Sequence, residues 1–111
     1  MHKLAVVFPG QGSQFPGMLE VWKAYDPYVA ELIAQASDVL GYDMDTLIQS
    51  EDGSKLNQTQ YTQPAILLTS FAIWSVLNSK INCHVELMAG HSLGEYTALL
   101  CAGALSFEQA L

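Results

Sequence analysis

Residues 4–8 read Leu-Ala-Val-Val-Phe, an apolar run without alternation that Pro9-Gly10 stops. A run this short and unbroken fits a strand buried on both faces, as in a parallel sheet. Val85 to Ala89 forms a second short apolar run, which leads straight into Gly90-His91-Ser92-Leu93-Gly94. Parallel strands are joined by long crossovers, and the chain between these two runs reads as helical.

Gly17 to Tyr25 is compatible with a short helix ending near Asp26-Pro27. In Tyr28 to Leu40, Val29, Leu32, Ile33, Ala36, Val39 and Leu40 share one face at helical spacing, with Glu31, Gln35 and Asp38 opposite. Gly41 follows as a C-cap. Asp43 to Gln49 fits another short helix, and the polar stretch Ser50 to Thr62 reads as a loop. Pro64 to Leu77 is apolar almost all round, a helix buried on most sides with proline in its first turn. Thr69, Ser70 and Ser75 interrupt it, and it is shorter than a membrane span. Glu95 to Ala102 reads as a helix, and Ser106-Phe107-Glu108-Gln109 opens another with a capping box.

Strand, several helices, strand and helix make the opening of an α/β domain with a parallel sheet. Two strands alone form a poor sheet, so residues 1–111 are expected to be the first part of a longer single domain. With half of its residues hydrophobic, the chain can order itself around a core. The N-terminal apolar run is too short for a signal peptide or a membrane span, which points to the cytoplasm. Cys83 and Cys101 fit two buried, reduced thiols, and no metal-ligand or disulfide framework is evident.

Gly90-His91-Ser92-Leu93-Gly94 matches the G-x-S-x-G pattern with a strand before it and a helix after it. A serine there sits on a sharp strand-to-helix turn, at a helix N-terminus whose free N–H groups favour developing negative charge. Ser92 is the candidate nucleophile, and the Leu93 N–H the candidate oxyanion-hole donor. The bland alternative is a serine that merely N-caps its helix. Gln11 lies in the loop after the first strand, at the sheet edge that also carries Ser92, so Gly10-Gln11-Gly12 can bring a second backbone N–H beside Ser92. A phosphate-cradling loop is disfavoured, because the loop lacks both the lysine and the G-x-G-x-x-G spacing.

The histidines supply no evident base. His91 neighbours Ser92 on the turn and points away from it, which suits a packing or pocket role. His84 lies at the far end of its strand, about 20 Å from the turn at the usual rise per residue. His2 precedes the first strand and faces the same distant edge. The charge balance sharpens the gap: eleven acidic residues against four basic give −7, and the four are lysines, Lys3, Lys23, Lys55 and Lys80. Without arginine the chain lacks the planar fork that grips carboxylates, and an acidic chain is a poor nucleic-acid binder.

Phe8-Pro9-Gly10-Gln11-Gly12-Ser13-Gln14, Thr62-Gln63-Pro64-Ala65 and Gly90-His91-Ser92-Leu93-Gly94-Glu95-Tyr96 together resemble the malonyl-CoA:acyl carrier protein transacylases. The resemblance runs over the whole chain and covers about the first third of such an enzyme. It implies an α/β-hydrolase-like acyltransferase domain of fatty acid biosynthesis, monomeric at full length and without a bound cofactor. Malonyl-CoA would be the substrate and acyl carrier protein the partner, with no nucleic acid or membrane involved. Ser92 would take the malonyl group as an ester, with the N–H groups of Gln11 and Leu93 as oxyanion hole and Gln63 and His91 near the pocket. The arginine and histidine that such enzymes use to pair the malonyl carboxylate and to act as base would fall beyond Leu111. Carrier proteins are acidic, so a segment of charge −7 is not expected to dock them by itself. The alternatives are a serine esterase or thioesterase with the same turn, and a catalytically inert fragment.

Overall fold

A computed structural model describes residues 2–50, 52–80, 83–90, 93–103 and 105–111. Its first strand, β1 (His2–Phe8), pairs in parallel with β2 (Cys83–Gly90). Between them run α1 (Glu20–Tyr25), α2 (Pro27–Leu40), α3 (Met44–Gln49) and α4 (Thr59–Lys80); α5 (Leu93–Cys101) and α6 (Phe107–Ala110) follow β2. The register runs from His2 opposite Cys83 to Phe8 opposite Gly90, with one shift between Leu4 and Ala5 that leaves Glu86 as the extra residue of β2.

The helical layer forms where the sequence places its signals. The Asp26 carboxylate accepts from the Tyr28 N–H, Pro27 occupies the first turn of α2, and Gly41 closes it at φ 84°. Val29, Leu32, Ile33 and Ala36 of α2 are buried, whereas Val39 faces outward. Asp43 caps α3 through the N–H groups of Asp45 and Thr46. The Thr46 hydroxyl and N–H, with the Asp45 N–H, hold the Asp43 carboxyl below its usual range. Ser106 and Gln109 form a reciprocal capping box on α6. The core joins α2, α3 and α4 through Val29, Ala36, Met44, Leu68 and Val76, and Phe107 stacks on Phe71 at 5.3 Å.

Two expectations change. Helix α4 begins at Thr59, so Pro64 lies inside the helix rather than in its first turn, and residues 59–62 are helical rather than loop. The Thr62 hydroxyl makes this early start possible. It is fully buried, and its single proton is shared between the carbonyls of Leu56 and Gln58, closing the entry turn against the buried Leu56. Gln60, whose carbonyl would have accepted from the amide that proline lacks, is exposed, and water can serve it. The sheet is also not buried on both faces. Phe8 is buried on one side, while Val7 and Leu87 are 76% and 60% exposed on the other, together with Ala5 and Ala89.

Candidate active site

The parallel pairing brings the C-terminal ends of β1 and β2 side by side at Phe8 and Gly90. Ser92 and His91 lie outside the described residues, so the site is built from what surrounds them. Gly90 closes β2, Leu93 opens α5, and Gly94 is buried in its first turn. Neither Gly90 nor Gly94 has a positive φ. Their lack of a side chain serves close approach instead. A Cβ on Gly90 would overlap the carbonyl of Gly94 and stand 2.6 Å from the Glu95 nitrogen. A Cβ on Gly94 would overlap the carbonyl oxygen of Phe8 and stand 3.0 Å from its carbon. Gly90 therefore lets the first turn of α5 fold tightly onto the end of β2, and Gly94 lets α5 start directly against the end of β1.

This contact sets the N-terminus of α5 beside the loop that leaves β1. The Leu93 N–H is among the first amides of the helix, which have no partner within it. In the facing loop Gly12 turns the chain at φ 109°, a conformation that favours glycine. The Gln11 Nε2 donates to Thr59 Oγ1 at 3.0 Å, and the Gly12 N–H donates to Gln14 Oε1 at 2.8 Å. Gln14 Nε2 in turn donates to Asn57 Oδ1 at 2.9 Å. Among the described residues, no protein acceptor takes the Gln11 N–H.

Gln63 and Leu93 line one cavity of about 320 Å³ with Gln60, Pro64, Leu67, Tyr96, Ala110 and Leu111. All of its lining side chains are uncharged. Gln11 is not part of that lining and reaches the same end of α4 through Thr59. His84 pairs with Lys3, and His2 with Cys83, at the opposite edge of the sheet, as the strand geometry predicts. Cys101 is no rival nucleophile: burial pushes its thiol up to about 12, so it stays protonated near neutrality. Among the described residues, no group of three His, Cys, Asp or Glu side chains stands ready for a metal ion, and no helix is long and apolar enough to cross a membrane.

Sequence reasoning gave no role to Gln14, Asn57, Thr59 or Tyr96, although Gln14 and Tyr96 stand in the motifs quoted above. The first three meet through hydrogen bonds spanning more than forty residues of chain, and no local pattern encodes such partners. Tyr96 had a usable signal, its place one helical turn after Leu93.

A family model described as acyl transferase domain matches residues 5–111. The malonyl CoA-acyl carrier protein transacylase of Haemophilus influenzae is 52% identical over all of this chain, which covers 36% of that relative. Among solved structures, the malonyl CoA-acyl carrier protein transacylase of Coxiella burnetii superposes with a TM-score of 0.93 at 49% identity, over 98% of this chain and 34% of its own. A type II PKS acyl-carrier protein in complex with its malonyl-transacylase matches with a TM-score of 0.91 at 52% identity, over 99% of this chain and 35% of that one. The chain thus spans about a third of the length of the relatives it matches. An open, parallel strand pair with a glycine-lined strand-to-helix turn, matched along nearly its whole length, places the chain in the acyl transferase domain family.

Proposed function

We propose that residues 1–111 are the N-terminal part of a single acyltransferase catalytic domain. The full-length protein is then a malonyl-CoA:acyl carrier protein transacylase of fatty acid biosynthesis. Ser92 Oγ attacks the malonyl thioester carbonyl, an O–C bond forms, the C–S bond breaks, and coenzyme A leaves as the thiol. The phosphopantetheine thiol of acyl carrier protein then attacks the ester, the C–O bond breaks, and Ser92 recovers its proton. The N–H groups of Gln11 and Leu93 hold the oxyanion in both halves, and Gln63 and His91 border the acyl pocket.

The observation that carries this reading is the close contact of Gly94 with the Phe8 carbonyl. It sets the start of α5 against the end of β1, where the loop carrying Gln11 begins, and this supports an oxyanion hole drawn from both elements. Identities of 48–52% to transacylases over the whole chain support the acyl donor, and the carrier-bound transacylase structure supports the acceptor. The chain has no arginine, and two of its three histidines stand at the wrong edge. The general base and the group that pairs the malonyl carboxylate are therefore assigned to the rest of the domain. A cytoplasmic setting accords with the free thiol of Cys101.

Incubating the full-length protein with malonyl-CoA alone tests this directly. One equivalent of coenzyme A is released and a malonyl ester is found on the peptide containing Ser92; carrier protein then discharges it, and Ser92→Ala forms none. Continuous release of coenzyme A and free malonate without carrier protein would make the protein a hydrolase instead.

A further inference from the structure

The loop that carries Gln11 has little packing of its own: Gln11, Gly12 and Ser13 are exposed. A mobile oxyanion donor is a poor one, because stabilisation of a developing charge depends on dipoles already in place. Two side-chain links, made of three hydrogen bonds, restrain this loop, and both end on residues 57–59. One runs from Gln11 Nε2 to Thr59 Oγ1. The other passes through Gln14, whose Oε1 accepts from the Gly12 N–H and whose Nε2 donates to Asn57 Oδ1. Gln14 thus uses both ends of its amide, one on the peptide following Gln11 and one on an anchor distant in sequence. The anchor itself is stiff. Leu56 is buried in the core, and the fully buried Thr62 hydroxyl fastens the Leu56 and Gln58 carbonyls to the start of α4.

We propose that Gln14 is a positioning residue for acyl transfer, clamping the Gly12 amide to Asn57 so that the Gln11 N–H is held in its oxyanion-binding orientation. The proposal rests on the oxyanion role assigned to Gln11 above. Gln14 touches no reacting atom; it acts on the peptide plane between Gln11 and Gly12, which the Gly12 N–H shares with the Gln11 carbonyl. Rotation of that plane re-aims the loop, and a shift of about 1 Å at a reacting centre can cost a hundredfold in rate.

The test uses the full-length protein, with single-turnover malonylation of Ser92 followed by mass. Gln14→Leu is expected to lower the malonylation rate constant about ten- to a hundredfold while changing KM for malonyl-CoA less than about threefold, with the melting temperature preserved. Asn57→Leu should reproduce the loss, whereas Asn57→Asp keeps an acceptor for Gln14 Nε2 and should stay within about threefold of wild type. The Gln14→Leu/Asn57→Leu double variant should be no slower than Gln14→Leu alone, because both remove one link. Asn57 is exposed, so its pair of variants decides the matter even if Gln14→Leu does not fold. An unchanged rate in Gln14→Leu, equal rates in the two Asn57 variants, or additive losses would each overturn the proposal. A wild-type protein that forms no malonyl-serine ester would instead remove the transacylase reading, and this proposal with it.

Discussion

Gly94 gives the turn its shape through what it lacks. Its missing side chain leaves room for the Phe8 carbonyl, and the three nearest atoms to a new methyl group there, from Phe8 and Pro9, are all backbone, which cannot rotate away. Gly94→Ala in the full-length protein is therefore expected to destabilise by about 1–3 kcal/mol, toward the upper end, and to abolish Ser92 malonylation by forcing β1 and α5 apart. Gly41 is the control: a Cβ there meets open space, and Gly41→Ala carries only the left-handed backbone penalty of about 1–2 kcal/mol with activity retained. Denaturation midpoints and ester formation measured on both variants check this, and a Gly94→Ala protein as active as Gly41→Ala would refute it. At this scale the sequence was legible wherever partners are close along the chain. The Ser106–Gln109 capping box and the Gly41 cap are read directly from spacing. The demand for glycine at 90 and 94 was also readable, but its cause was not. Neither glycine has a positive φ; Gly90 makes room for the first turn of α5 just after it, and Gly94 for the Phe8 carbonyl, far away in sequence.

Among the elements, α2 and α3 are joined by one hydroxyl. Ser37 Oγ donates to the Ile33 carbonyl at 2.9 Å and accepts from the Met44 N–H at 3.0 Å, so the end of one helix serves the start of the next. Met44 is fully buried, and its amide has little chance of finding water if that oxygen is removed. Ser37→Ala is expected to cost about 1–2 kcal/mol, the penalty of an unsatisfied buried donor, without altering malonylation. Chemical denaturation of the full-length protein measures it, and an unchanged midpoint would mean that the Met44 amide is solvated after all. Helix α2 was legible because its apolar period and both of its caps lie within one segment. The start of α4 was not. Residues 59–62 are polar, and what makes them helical is the Thr62 hydroxyl bonding back to Leu56 and Gln58. Polar composition alone reads as a loop, since it does not show where a side chain is buried. Tertiary context likewise decides the strands: an unbroken apolar run says that both faces want cover, not that both faces have it within these residues.

Over the molecule as a whole, apolar surface is left open on the sheet. Val7 and Leu87 stand 76% and 60% exposed on one face, and a cavity of about 390 Å³ runs between β1 and α4, lined by Val6, Phe8, Phe15, Trp22, Ile73 and Trp74. The hydroxyl of Thr69, 8% exposed, borders that cavity without a partner among the described residues. Contiguous apolar surface of this kind is rare on a free-standing soluble domain, and a two-stranded parallel sheet is marginal without neighbours. A polypeptide of these 111 residues by itself should therefore behave as a collapsed, loosely packed chain. It is expected to keep helical far-ultraviolet dichroism, to bind 1-anilinonaphthalene-8-sulfonate strongly, and to lose structure over a broad thermal range. The full-length protein should show a sharp transition and little dye binding. The same polypeptide should acquire no malonyl ester on Ser92, because the chain has no arginine and, among the described residues, neither a histidine nor a lysine lies in the paired strands at the C-terminal edge of β1 and β2. A sharp melt without dye binding would show that one covered face suffices to hold this sheet. Ser92-dependent ester formation by the 111 residues alone would show that this segment supplies the base as well as the nucleophile.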